Sequence, residues 1–246
     1  MHNYQILVEY DGTKFVGWQI QKNGLSIQEV LQKAIQRITK KRTIIFGSGR
    51  TDAGVHSIGQ SAHFKTQHEI RNIKDFTKSL NFFISKYNIS ILKIIKKSKS
   101  FHARHSAVKR TYKYYIINRT SPLTIDKNKA WHIKKTLDIQ LMIRGSRLLK
   151  GTKDFSTYRS SSCSAKSPIR TIDKVKIRKI NQKIEITFIS RSFLQQQVRS
   201  MVGCLKYLGE KKWNLKQFRK SLLSKKRSMC APPAPACGLY LYKVKY

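Results

Sequence analysis

Read for the alternation of apolar and polar positions, the chain opens on an extended segment, Tyr4 to Tyr10, closed by the turn signal Asp11-Gly12. Ser26 then predicts a helix start, with Glu29 three residues on as the second member of a capping box. Ile27, Val30, Leu31, Ala34, Ile35 and Ile38 follow at helical spacing and make one apolar stripe. A short strand is expected to end at Phe46, and a glycine-rich loop covers 47–59 before extended structure resumes from Gln60 to Lys65. A second amphipathic helix carries Ile73, Phe76, Leu80, Phe83 and Ile84, and a strand follows at about Ile89 to Ile95.

The second half repeats the mixture. Residues 109–118 are rich in β-formers, and 138–150 read as helix. The polar stretch 152–168 reads as a long mobile loop. In 183–189, Ile184, Ile186 and Phe188 alternate on one strand face. Leu194, Val198, Met201, Val202, Leu205 and Leu208 line a helix, 214–223 forms a shorter one, and 239–246 ends as a strand after the proline-rich connector 231–235. Strands and helices are mixed without regular βα alternation, which favours an α+β fold with antiparallel sheet. The expected division is an N-terminal subdomain, 1–105, and a C-terminal one, 106–246, with a cleft between them.

Composition adds constraints. Of 246 residues, 40% are hydrophobic, enough for a core without disulfide staples. No apolar run approaches the ~20 residues that span a bilayer, and the N-terminus lacks the charged and apolar regions of a signal peptide, so a cytoplasmic protein without a membrane partner is expected. The four cysteines, Cys163, Cys204, Cys230 and Cys237, form no C-x-x-C pair and have the spacing of neither a zinc site nor a disulfide framework. Against 51 Lys and Arg stand 12 Asp and Glu, a formal charge of +39. Such a field attracts polyanions, above all nucleic acid. No helix concentrates the lysines opposite an apolar face, which disfavours a membrane surface.

Candidate chemistry gathers in GSGRTDAGVHSIG, residues 47–59. The loop is no phosphate-cradling P-loop, for no G-K-[ST] follows, and it lacks the dinucleotide spacing. It presents Arg50 and Asp52 near His56. A carboxylate repels RNA phosphates, so an acid here invites a catalytic reading; an Asx turn within Thr-Asp-Ala-Gly fits the same residues.

Several segments, YDGTKFVGWQIQ (10–21), GSGRTDAGVHSIGQSAHF (47–64), FHARHSAVKRTYKYYI (101–116), GTKDFSTYR (151–159) and APACGLYLYKVKY (234–246), resemble in order the signatures of the TruA family of tRNA pseudouridine synthases. The resemblance implies the pseudouridine synthase fold, two mixed subdomains around a central antiparallel sheet with the catalytic cleft between. It implies a homodimer acting on uridines 38, 39 and 40 of the tRNA anticodon stem-loop. It makes Asp52 the nucleophile, sets Tyr112 against the target base, pairs Arg199 with the nucleophile, and gives Arg50 the task of holding RNA with its target nucleotide flipped out. Where the family usually reads F-L-Y-H-M-V-R, this chain has Phe193-Leu194-Gln195-Gln196-Gln197-Val198-Arg199. Isomerising uridine breaks the C1′–N1 bond and joins C1′ to C5, with no redox or phosphoryl step, so the chemistry calls for no cofactor and no metal. It does call for an ionised carboxylate, which a guanidinium within ~4–6 Å favours. On composition alone, Tyr114 and Tyr115 read as strand residues filling a core.

Overall fold

In the computed structural model, which describes residues 1–246, the chain forms two compact units, one of Met1–Val108 with Tyr240–Tyr246 and one of Lys109–Leu239. In chain order the elements are β1 (His2–Tyr10), α1 (Ile27–Thr39), β2 (Ile45–Gly47), β3 (His56–Thr66), α2 (Ile73–Ile84), β4 (Ile89–Lys97), β5 (Lys109–Asn118), β6 (Trp131–Ile133), α3 (Ile139–Leu148), β7 (Gly151–Asp154), β8 (Ile169–Ile180), β9 (Lys183–Ser190), α4 (Gln197–Gly209), α5 (Leu215–Leu223) and β10 (Leu239–Lys245). Strands and helices of this kind make the protein α+β.

In the first unit, β1 lies between β3 and β4, antiparallel to both. β2 adds to β3 antiparallel, whereas β10 adds to it parallel, through Tyr240↔His56 and Leu241↔Ser57. One face of this sheet is apolar: Tyr4 stands opposite Phe64, and Ile6 opposite both Ala62 and Ile94. Against it pack Ile27, Val30, Leu31, Ala34 and Ile35 of α1, and Phe76, Leu80 and Ile84 of α2, all buried. Each such Val, Leu, Ile or Phe side chain contributes roughly 1.5–3 kcal/mol if fully buried. The other face is polar yet still covered. Gln5 Nε2 donates to Ser61 Oγ (2.8 Å), Asn3 Nδ2 donates to the carbonyls of Ser98 and Phe101 (2.9 and 2.8 Å), and the Tyr246 hydroxyl reaches Ser61 Oγ (2.7 Å) and the Ala103 carbonyl (2.9 Å). The segment after β4 and the last residue thus close that side.

The second unit is built on β5-β9-β8-β7, antiparallel throughout, with the short β6 parallel to β5. Alternate residues of β5, Arg110, Tyr112, Tyr114 and Ile116, are buried. Helix α4 is buried almost all round, with Val198, Met201, Val202, Cys204, Leu205 and Leu208 in the core, as expected of a helix enclosed by its neighbours.

Several expectations need correction. The sheets are antiparallel for the most part, as expected, with β10 and β6 each joining a neighbour in parallel. β3 begins at His56, so the loop is shorter than the glycines imply; pairing with β1 and β10 extends the strand through Gly59. Residues 152–168 are not all loop, since β7 occupies Gly151–Asp154 and a 3-10 turn at Ser156–Tyr158 follows, with Phe155, Thr157 and Tyr158 buried. Strand β8 was not foreseen: a register shift between Ile172 and Lys174 breaks the alternation that would reveal it. Ser26 does cap α1, its hydroxyl accepting the Glu29 N–H (3.3 Å), but the Glu29 carboxylate pairs with Lys33 Nζ (2.6 Å) one turn on.

Candidate active site

The loop Ser48–Val55 connects β2 to β3, and the segment after β1 holds it in place. Tyr10 closes β1 with its hydroxyl 2.8 Å from Thr51 Oγ1, a buried hydrogen bond. Two backbone bonds join the segments, Trp18 N–H to the Thr51 carbonyl (3.1 Å) and Gly54 N–H to the Phe15 carbonyl (3.3 Å). Gly17 forms an antiparallel bridge with Asp52. At Gly17 the backbone has φ +116°, and an added Cβ would lie 2.6 Å from the Thr51 carbonyl oxygen, so only glycine fits without displacement. Trp18, 2% exposed, lays its indole against Gly47, where an added Cβ would stand 2.6 Å from the ring.

The loop is also pinned from β3. Gln60 Nε2 donates to the Gly49 carbonyl (2.9 Å), Ser48 Oγ donates to Gln60 Oε1 (2.7 Å), and Ser48 N–H donates to the Ser61 carbonyl (2.7 Å). Within the loop, Val55 N–H donates to the Asp52 carbonyl (3.1 Å). Asp52 is therefore held by backbone on both sides while its side chain stays half-buried, and Arg50 is exposed two residues earlier. The backbone at Asp52 is thus fixed while the residue remains partly open to a ligand.

His56 proves to be structural. It is 2% exposed, its Nδ1 lies 3.1 Å from Gly12 N and 3.2 Å from Asp11 Oδ1, and its ring stacks on Tyr240 at 4.7 Å. It ties the Asp11-Gly12 turn to the start of β3.

Tyr112 and Arg199 belong to the second unit. Tyr112 lies opposite Phe188 of β9, is 8% exposed, and meets Phe193 edge-on at 5.2 Å. Tyr114, on the same strand face, is wholly buried and donates its hydroxyl proton to the Pro235 carbonyl (2.8 Å), so its core role is confirmed. Burial pushes the Tyr114 phenol up, and the guanidinium of Arg199 opposes that rise. Arg110 is buried as well, with Nη1 donating to the Arg191 carbonyl. Arg199, on the first turn of α4 and half-buried, is clamped to the proline-rich connector. Its Nε donates to the Ala234 carbonyl (2.7 Å), and its own carbonyl accepts the Ala234 N–H (2.9 Å).

Tyr10, Gly17 and Trp18 escaped the sequence reading as site residues. Their signal is the segment YDGTKFVGWQ itself, since residues 10–18 serve to hold the Asp52 loop.

Comparison with known proteins fits this construction. A family model described as tRNA pseudouridine synthase matches residues 6–111 and 146–246. The chain is 58% identical over 246 residues to "tRNA pseudouridine synthase A" of Pelagibacter ubique (strain HTCC1062), covering both chains completely. It is 44% identical over 248 residues to the protein of the same name from Parvibaculum lavamentivorans, again with both covered completely, and 38% identical to that of Maricaulis maris, covering all of this chain and 98% of the other. Among solved structures, a chain of a Cbf5-Nop10-Gar1 complex aligns loosely with 83% of this chain and 54% of its own, at 11% identity and a TM-score of 0.32. With a cradled Asp-bearing loop and relatives matched from end to end, this chain belongs to the tRNA pseudouridine synthase family, whose members are isomerases.

Proposed function

We propose that the protein converts uridine to pseudouridine at positions 38, 39 and 40 of the tRNA anticodon stem-loop, with Asp52 as nucleophile. The observation that carries this reading is the Asp52 carboxylate, half-buried on a loop that Tyr10, Gly17 and Trp18 fix in place. In the reaction the C1′–N1 bond breaks, the uracil turns, C1′ bonds to C5, and the C5 proton leaves as N1 gains one. Asp52 serves either by adding covalently or by taking a ribose proton. The family resemblance gives Arg199 the pairing that keeps the carboxylate ionised, Tyr112 the stacking position beside the target base, and Arg50 the grip on RNA around the everted nucleotide. Extruding a uridine from a stem costs a few kcal/mol, and cationic contacts with flanking phosphates offset it. The enzyme is proposed to work in the cytoplasm as a homodimer, two basic surfaces gripping one tRNA.

The test sets wild type beside Asp52→Asn on one tRNA transcript, mapping modified positions and measuring affinity. The expected result is pseudouridine at 38–40 with wild type, none with the variant, and nearly equal binding. A wild type as inactive as the variant would make the protein a binding module of this fold. Modification confined to ribosomal transcripts would move its substrate elsewhere.

A further inference from the structure

Outside the Asp52 cradle, a cluster of rings lies at the edge of the first unit. Its base is His63 of β3, 2% exposed, whose Nδ1 accepts the Ala103 N–H (3.1 Å). Phe46 of β2 stacks on it, at 5.2 Å and 23°, and His102 meets it edge-on, at 4.5 Å and 61°; Phe46 and His102 themselves stand 5.6 Å apart, tilted by 49°. His105 continues the series, 4.4 Å from His102. Burial decreases outward. His63 is enclosed, His102 is half-buried, His105 is exposed, and Phe46 is 46% exposed on a strand that pairs with β3.

This outer surface is rigid. His102 Nδ1 accepts the N–H groups of Arg104 (3.1 Å) and His105 (3.3 Å), which curls the loop around the imidazole, and Ser106 Oγ accepts the His102 N–H (3.0 Å). The charges that bear on His102 come from His105, Arg104 and Lys65, and the last two are cationic and exposed. A phenyl ring displayed among cations suits neither an apolar protein partner nor a lipid tail. It suits a planar ligand that carries negative charge beside its ring, which is the chemistry of a nucleotide. Phe46 also stands one residue before Gly47, at the root of the loop that carries Asp52.

We propose that Phe46, His102 and His105 form a stacking plate for an unpaired RNA base, with Lys65 and Arg104 at its rim receiving the adjoining phosphate. The plate gives the protein a hold on its RNA separate from the everted uridine. Because stacking accepts any base, the site grips without reading sequence. It deepens the tRNA-modifying reading and rests on it.

The experiment measures binding of one transcribed tRNA, and of heparin as a polyanion without bases, to wild type, Phe46→Leu, Phe46→Trp and His105→Ala. Phe46→Leu keeps apolar bulk but loses the ring, and should weaken tRNA binding about tenfold, near the lower end of what one base–aromatic stack is worth. His105→Ala, an exposed change that leaves the fold intact, should weaken it about threefold. Phe46→Trp should bind within about twofold of wild type, and heparin binding should be unchanged throughout. Wild-type tRNA affinity in both Phe46→Leu and His105→Ala overturns the plate, as does a parallel loss of heparin binding. Should Phe46→Leu fail to fold, His105→Ala decides alone. A wild type that neither binds nor modifies tRNA overturns the underlying functional reading; an active wild type with unaffected plate variants overturns only the plate.

Discussion

Gly17→Ala tests whether the Asp52 loop is held by the segment after β1. Two costs follow from the geometry. The backbone at Gly17 has φ +116°, a conformation that costs a residue with a Cβ on the order of 1–3 kcal/mol. The new methyl would also lie 2.6 Å from the Thr51 carbonyl oxygen, 3.2 Å from Asp52 C and 3.3 Å from Ala53 N. Ordinary contact begins about 0.8 Å further out than the first of these, and the atoms that must yield are backbone. That carbonyl also accepts the Trp18 N–H, so its retreat strains the bond joining the two segments and shifts the residue bearing the carboxylate. A misplacement approaching 1 Å costs on the order of a hundredfold in rate, so kcat/KM should fall about 10- to 100-fold. Release of the C5 proton from tRNA, followed as tritium, measures the loss, and thermal unfolding measures the stability cost. Gly24→Ala is the control. Its φ is +152°, but its Cβ would meet Val16 Cγ1 (2.6 Å), a side-chain atom rather than the backbone that carries the bonds to the loop. It should lose stability without losing catalysis. Wild-type kcat/KM in Gly17→Ala would refute the cradle.

Two further outcomes bear on the first unit. Burial holds the His63 imidazole down, at about 4, with the nearby His102 pushing the same way. The unfolded chain therefore binds more protons than the folded one between the ordinary value of 6.5 and about 4, and stability is lost as the pH drops through that window. His102, also lowered chiefly by burial, adds to the slope. His63→Asn should flatten the curve of unfolding midpoint against pH, and an unchanged curve would remove His63 as its cause. Tyr246→Phe deletes the hydroxyl that meets Ser61 Oγ and the Ala103 carbonyl, and should cost about 1–3 kcal/mol in denaturant unfolding; a loss below ~0.5 kcal/mol would mean that water replaces both bonds.

Elements decided by local chemistry were legible in the sequence. Asn214 and Ser26 cap helices with their own side chains, and the stripe from Ile27 to Ile35 buries as its spacing requires. What depended on partners far along the chain was not. The start of β3 is set by pairing with β10, more than 180 residues on, and local glycines argue against a strand there. The polarity of 152–168 hides the burial of Phe155 and Tyr158. The site divides in the same way. Arg50 and Asp52 are visible as charges on a glycine-rich loop, but a turn fits the same residues and it is the family resemblance that singles them out; the roles of Tyr10 and Gly17 exist only once 10–18 lies against 51–54.

The run Gln195-Gln196-Gln197 shows how a departure from a family pattern is absorbed. At the start of α4, Gln196 takes a left-handed conformation, φ 60°, and supplies no side-chain cap. The turn is closed instead by Gln197, whose Oε1 accepts the Leu194 N–H (2.8 Å) while its own N–H donates to the Leu194 carbonyl (3.1 Å). The Gln195 carbonyl accepts the Ser160 N–H (3.0 Å), tying the turn to the segment after the 3-10 turn at Ser156–Tyr158. Gln197 Nε2 is left buried without a partner, a cost of about 1–3 kcal/mol that the amide's other end partly offsets. Two residues on, Arg199 is fixed by Ala234 through both side chain and backbone. These contacts of Arg199 come from the proline-rich connector and not from residues 195–197. The loss of the usual aromatic and histidine at 195 and 196 therefore leaves them intact.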